Sequence, residues 1–230
     1  MGATGQSKMR SFQEIYDIAS ARKGGDDALQ ALLADTRVAV DLAAIPDDRW
    51  LSNFTRCVFQ AGFSWKVIEA KWDGFEAAFH RFDVARCAMM DDDWFDDLLR
   101  DTRIVRNGMK IQTVRDNAVF LSDLAKEHGS AGNFFATWPS DDFVGLLKCL
   151  KTRGSRLGAA TGQYALRFIG MDSFILSADV TARLIAEGIV SKSPTSARDM
   201  VAVQTAFNTW RAQSGRGLSE ISRVLAMSVG

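Results

Sequence analysis

Several things are scarce in this 230-residue sequence, and each scarcity excludes something. Its cysteines number three (Cys57, Cys87, Cys149) and its histidines two (His80, His128), all far apart in sequence. No CxxC or HxxxH pair forms, which argues against a zinc site built from local ligands and against a disulfide framework. The formal net charge is zero, from 28 basic and 28 acidic residues, so bulk basicity does not mark a polyanion binder. No apolar run reaches the length of a membrane span, and the first residues, MGATGQSKMRS, lack the apolar core of a signal peptide. A reducing, cytoplasmic setting with no membrane partner is expected. Prolines number only three, and alternation of apolar and polar residues is missing apart from a brief SFIL, so strands and long linkers are not expected.

What is present is helical periodicity. Ser11 with Glu14 forms a capping-box pattern ahead of FQEIYDIASARK, and Gly24–Gly25 supplies a stop. Helices are expected over DDALQALLAD, over the stretch after Pro46, over SWKVIEAKWDGFEAAFHRF, and over DDDWFDDLLRDT. Further helices follow in VRNGMKIQTVRDNAVFLSDLAKEHG, with Ile111, Val114, Ala118, Leu121, Leu124 and Ala125 inward, and in the segments on either side of Gly154. SADVTARLIAEG and two C-terminal helices complete an all-α chain, with Phe207 and Trp210 as core. Residues 1–10 read as a flexible tail and 11–230 as one helical domain.

Charge is not spread evenly along the chain. Aspartates gather at apparent helix starts (Asp47, Asp48, Asp91, Asp92, Asp93, Asp96, Asp97, Asp141, Asp142), where they suit the positive end of the helix dipole. Basic residues gather at Arg100, Arg103, Arg106, Lys110 and Arg115, and again at Lys148, Lys151, Arg153, Arg156 and Arg167. An acidic and a basic side is one reading; plain complementarity with helix ends is the other.

Two stretches call for more than packing. In RCVFQAGFSWKV, Gly62 costs about 1 kcal/mol against alanine within a helix, yet it lies between Gln60 and the large Phe63 and Trp65. Such a glycine suits a turn that brings backbone close to a ligand. In LLKCLKTRGSRLGAATGQYALRFIG, a helix ends at Gly154, Ser155 to Leu157 make a tight turn, and Gly158 opens the next helix. Backbone N–H groups at such a turn, flanked by Lys151, Arg153 and Arg156, make a sequence-independent phosphate site. An ordinary helical hairpin with solvated basic residues remains the alternative.

Taken together, FQAGFSWKVIEAKWDGFEAAFHRFD followed by RIVRNGMKIQTVRDNA resembles the bacterial 3-methyladenine DNA glycosylase I family of the helix-hairpin-helix DNA glycosylase superfamily. The resemblance rests on Gln60–Trp65, Phe79–Asp83 and Val105–Ile111, with the hairpin at Gly154 in the superfamily's position, and runs from about Trp50 to Val180. It implies a two-lobed helical fold with a cleft between lobes. The central lobe would span about 50–170 with its hairpin at 154–158, and the two chain ends would form the second lobe. It implies a monofunctional glycosylase that hydrolyses the N-glycosidic bond of alkylated purines in base-excision repair, acting as a monomer on double-stranded DNA with damaged bases, without a cofactor.

The resemblance also assigns roles. Gln60, Gly62 and Phe63 would fill the gap left by the flipped base, and Trp65 would wall its pocket; the alternative is that Phe63 and Trp65 are core aromatics, and for Trp65 both can hold. Lys110, Lys151, Arg153, Gly154, Arg156 and Gly158 would meet the DNA backbone. Cys57 falls where the family places a base-reading glutamate; Glu14 and Tyr16 are further pocket candidates. The family's zinc ligands have no counterparts, so no metal is expected. Asp179 is either a displaced catalytic carboxylate or the N-cap of the helix after it. Loss of the glutamate keeps a second reading open: a DNA-binding protein of the same fold with little or no excision, or one specific for another damaged base.

Overall fold

The computed structural model describes residues 9–37 and 40–229. Among them are fourteen α-helices and no strand. In chain order they are α1 (Phe12–Lys23), α2 (Asp26–Leu33), α3 (Asp47–Gln60), α4 (Trp65–Ala70), α5 (Trp72–Ala78), α6 (Val84–Ala88) and α7 (Asp92–Arg100). They continue with α8 (Gly108–His128), α9 (Ala131–Thr137), α10 (Phe143–Arg153), α11 (Ala159–Phe168), α12 (Ala178–Ala186), α13 (Ala197–Ser214) and α14 (Leu218–Met227). The chain forms two compact units: residues 1–39, 140–144 and 172–230 in the first, 40–139 and 145–171 in the second.

The second unit is built around α8. Its stripe of Ile111, Val114, Ala118, Leu121 and Leu124 is fully buried, as the 3.6-residue period requires. Opposite it, α3 buries Trp50, Leu51, Phe54, Val58 and Phe59, and Trp50 stacks on Phe135 of α9 at 4.1 Å. Asp91 caps α7 by accepting from the Trp94 N–H, and Asp47, Asp48, Asp92 and Asp93 fill first turns, where the dipole favours them.

The single helix expected over SWKVIEAKWDGFEAAFHRF is broken. It divides into α4 and α5 at Lys71 and ends in a left-handed turn, with φ of +52°, +57° and +60° at His80, Arg81 and Phe82. That backbone costs roughly 1–2 kcal/mol per non-glycine residue. The turn swings Phe82 inward to stack on Trp72 at 5.6 Å and Phe79 at 5.5 Å, fully buried. Arg49 holds it in place by donating to the Arg81 carbonyl at 2.7 Å while gripping Glu76 through two further bonds. The short α6 and α9 were not expected from the sequence.

In the first unit, α1 starts at the Ser11–Glu14 capping box and ends at Gly24 in the left-handed region, both as the sequence indicates. It packs on α13 and α14, burying Phe12, Ile15, Tyr16 and Ala19. Phe207 and Trp210 are core, with Phe207 stacked on Phe174 at 4.2 Å. SFIL is extended but pairs with no strand: the N–H groups of Ser173 and Ile175 bond to the hydroxyls of Ser219 and Ser222 on α14.

The expected flexible tail of residues 1–10 needs correction at its inner end. Arg10 bonds through both its backbone N–H and its guanidinium to the buried Glu187, and its carbonyl accepts from Trp210 Nε1. Glu187 also pairs with Arg183, so a buried carboxylate fixes the chain just ahead of α1. The rest of that tail, residues 1–8, lies outside the described residues.

Candidate nucleic-acid interface

The loop after α3 accounts for the glycine in QAGFSW. Gly62 has φ of +78°, a left-handed conformation that side chains with a Cβ adopt at a cost. Nothing lies within 4 Å of where its Cβ would stand, so the turn itself, not crowding, requires the glycine. Beyond it Phe63 is exposed.

Lys110 organises this loop, and its expected role on the DNA backbone is corrected. It is buried, and its ammonium donates to the carbonyls of Val58 (2.8 Å), Phe59 (3.1 Å) and Ala61 (2.6 Å). Those bonds use all three protons and place a cation at the negative end of the α3 dipole. Burial, with a smaller contribution from the nearby Arg156 charge, lowers the Lys110 pKa from its ordinary value. The Phe63 ring centre lies 4.5 Å from Nζ, a cation–π contact that seats the exposed ring on a fixed support.

Gln60, expected to plug a vacated base stack, is buried instead, with Nε2 donating to Glu69 at 2.9 Å. Cys57 is likewise a core residue and not a pocket wall: burial pushes its thiol up to about 12, so it stays neutral. Trp65, in contrast, is no core aromatic. Nearly half its surface is exposed, and its ring meets Tyr164 and Phe168 of α11 edge-on.

The turn between α10 and α11 falls where the sequence places it, with Gly158 as N-cap of α11. A Cβ on Gly154 would lie 2.7 Å from Leu157 Cδ1 and 2.8 Å from the Leu150 carbonyl, so glycine lets the chain fold back tightly. Arg156 takes a left-handed φ of +57°, which turns its side chain outward. Asn117, fully buried on α8, clamps the turn through both backbone groups of Ser155. The Ser155 N–H is therefore not directed outward, as the unobstructed-turn reading expected. Lys151 and Arg156 are exposed, whereas Arg153 is committed to a bidentate pair with Glu127 at 2.9 and 3.1 Å.

Loop and hairpin are joined through the start of α8. Phe63 rests over Lys110; its neighbour Met109 is exposed and accepts a contact from Arg156 at its sulfur, 3.5 Å away. An apolar projection, a helix N-terminus and a basic turn thus lie side by side in one unit.

The candidates of the other unit are placed differently from expectation. Glu14 accepts from the Ser11 N–H and hydroxyl in the capping box, at an exposed helix start. Tyr16 is buried, with its hydroxyl bonded to Asp26 and Gln30 and its ring under Arg216. Neither is placed as a pocket wall. Asp179 is not the N-cap of α12: Ser177 is, its hydroxyl accepting from the Val180 N–H, and Asp179 stands exposed in the first turn.

Sequence reasoning missed Tyr164, Phe168, Met109 and Asn117. A signal existed for three of them: Tyr164 and Phe168 are four apart on a helix, and Asn117 interrupts an apolar stripe. Among the described residues no three His, Cys, Asp or Glu side chains are grouped to hold a metal ion, and no helix is long and apolar enough to cross a membrane.

The all-helical fold is similar to that of solved DNA glycosylases. The 8-oxoguanine glycosylase/lyase of Methanocaldococcus jannaschii, solved with a 15mer DNA containing 8-oxoguanine, is similar over 92% of this chain and 95% of that one, with a TM-score of 0.54 and 11% identity. A mutant 3-methyladenine DNA glycosylase I from Staphylococcus aureus is similar over 66% of this chain and 91% of that one, with a TM-score of 0.50 and 21% identity. In sequence, residues 46–144 match the methyladenine glycosylase family. DNA-3-methyladenine glycosylase 1 of Escherichia coli (strain K12) is 37% identical over 59 residues, which are 26% of this chain. The chain spans about a third (32%) of the length of that curated relative.

Proposed function

We propose that this protein is a monofunctional DNA glycosylase that releases alkylated purines of the 3-methyladenine kind from duplex DNA. The observation that carries the reading is the joined surface of Phe63, the α8 start and the 154–158 hairpin. Phosphates would bind at the hairpin through Lys151, Arg156 and the α11 N-terminus. Phe63 would enter the base stack at the turn that Gly62 permits, at an unstacking cost of a few kcal/mol.

The chemistry asks little of the protein. Alkylation at a ring nitrogen leaves the base cationic, so the C1′–N bond breaks with its electron pair going to an already good leaving group. Water then adds to C1′ and loses its proton to solvent. The protein must hold the cationic base and stabilise the sugar cation. Trp65 is assigned to the base.

A second reading is favoured by one observation: Cys57 is neutral and buried. With no carboxylate there, a DNA-binding protein with little excision, or one acting on another damaged base, keeps the same surface. Base release from duplexes carrying 3-methyladenine, 7-methylguanine, hypoxanthine or uracil separates the two. Release that weakens in Trp65→Ala supports the enzyme. Duplex binding without release from any of the four favours the binding protein.

A further inference from the structure

Met109 is the second residue of α8, next to the buried Lys110, and it is 66% exposed. Its sulfur lies 3.5 Å from Arg156 Nη2, a contact between segments 47 positions apart. Arg156 reaches it from the tight turn of the hairpin, where its φ of +57° is left-handed. A thioether is a weak acceptor, so the guanidinium is held loosely and a phosphate can displace the sulfur. Arg153, by contrast, is gripped by both oxygens of Glu127.

An exposed thioether is open to oxidation by a peroxide, and the product is a polar sulfoxide that reductases reverse. With hydrogen peroxide, a sulfur lone pair attacks one oxygen. The S–O bond forms as the O–O bond breaks, and hydroxide leaves. That hydroxide takes the proton from the oxygen now on sulfur and departs as water. Sulfur loses two electrons and the peroxide gains them. The new oxygen carries partial negative charge and forms beside a guanidinium already in place. A guanidinium donates more strongly to such an oxygen than to a thioether.

We propose that Met109 is an oxidation site that regulates DNA binding: its sulfoxide latches Arg156 onto the start of α8 and withdraws it from the phosphates. The proposal rests on the DNA-binding part of the functional reading. The apolar projection beside Phe63 turns polar in the same step, so both changes disfavour a duplex. Met89 supplies a control within the chain. It is 82% exposed, but it lines an open cleft with Asp83, Asp91 and Asp97, whose carboxylates repel a phosphate.

The test titrates wild type, Met109→Leu and Met89→Leu with an undamaged duplex, each before and after hydrogen peroxide. Peptide mass spectrometry reads the oxidation state of every methionine. Wild type and Met89→Leu are each expected to lose about fivefold in affinity near 0.15 M salt, the worth of one phosphate contact. The slope of log affinity against log salt should shrink by about 0.9 with it. Peroxide should leave the affinity of Met109→Leu where it was, which also separates the effect from oxidation of Cys149. Methionine sulfoxide reductases should restore wild type. Equal losses in wild type and Met109→Leu overturn the proposal, as does full affinity with position 109 oxidised. Met109 unreacted while Met89 is oxidised overturns it too, and so does a loss of affinity with an unchanged salt slope. Arginine side-chain NMR tells this failure from failure of the functional reading. If neither redox state binds a duplex, an Arg156 Nε–H signal that shifts on oxidation keeps the latch and rejects DNA binding. If the reduced protein binds and that signal does not move, the functional reading stands and the latch falls.

Discussion

The Lys110 ammonium donates to the Ala61 carbonyl at 2.6 Å, so a buried cation from α8 closes the helix that carries the QAGFSW loop. Hydrogen bonds to charged groups contribute about 1.5–3 kcal/mol each, with strong non-additivity among bonds to one atom. Lys110→Met is therefore expected to cost about 3 kcal/mol in urea unfolding. Amide exchange should accelerate at residues 61–64 beyond the global change. Exchange that rises only in proportion to global stability would show that Lys110 does not hold the loop.

Asn117 makes the corresponding prediction for the hairpin. Asn117→Ala removes both bonds to Ser155 and leaves that residue's backbone groups short of partners, a loss of about 2–3 kcal/mol. Duplex affinity should fall with it, and the salt dependence of binding should flatten, because phosphate contacts set that slope. Full affinity with an unchanged slope would remove the hairpin from the interface.

Glu76 provides a pH signature. Burial alone would raise its pKa, but bonds from Arg49, Ser52 and Trp72 outweigh burial and hold the carboxyl below 4.5, its ordinary value. A depressed folded pKa contributes stability above the unfolded value that is lost as pH falls through the folded one. Glu76→Gln should therefore be less stable than wild type at pH 7, with the gap narrowing below about pH 4.5. A gap constant from pH 7 to pH 3 would contradict the linkage.

Thiol reactivity should rank by burial. Cys57 and Cys87 are buried, with thiols pushed up to about 12, while Cys149 is partly exposed and its pKa raised less. Iodoacetamide at pH 8 is expected to label Cys149 in the folded protein and all three in denaturant, read by intact mass. Early labelling at Cys57 would place that residue in an open pocket after all.

Glu187 offers a fifth check. Its buried carboxylate joins Arg10 and Arg183, so Glu187→Ala leaves Arg183 buried without its anion and should cost about 3–5 kcal/mol by chemical denaturation. A loss under 1 kcal/mol would mean, by the same reasoning, that the pair is solvent-relaxed.

Local signals carried most of the fold. The Ser11–Glu14 box, the Asp91 cap, the α8 stripe and the Gly154 turn depend on residues within a few positions of one another, and each stands where periodicity and capping put it. Failures came where distant partners decide. Arg49 holds the Arg81 carbonyl from another helix, which no window over 64–82 could reveal. The site followed the same division. Gly62, Phe63 and Trp65 are exposed as a local reading of the loop suggests, but Lys110 resembles any other basic residue in sequence and is internal because three carbonyls 49 to 52 positions away receive it.

The two units are unequal in the order of synthesis. Every residue of the unit bearing loop and hairpin precedes residue 172, so its α3, α8 and α11 are all present before α12 is made. The other unit begins with α1 but needs α13 and α14, the last helices of this sequence, to cover Phe12 and Ile15. On the ribosome the unit with loop and hairpin can thus close first, while α1 waits, capped at both ends, for a partner translated some two hundred residues later.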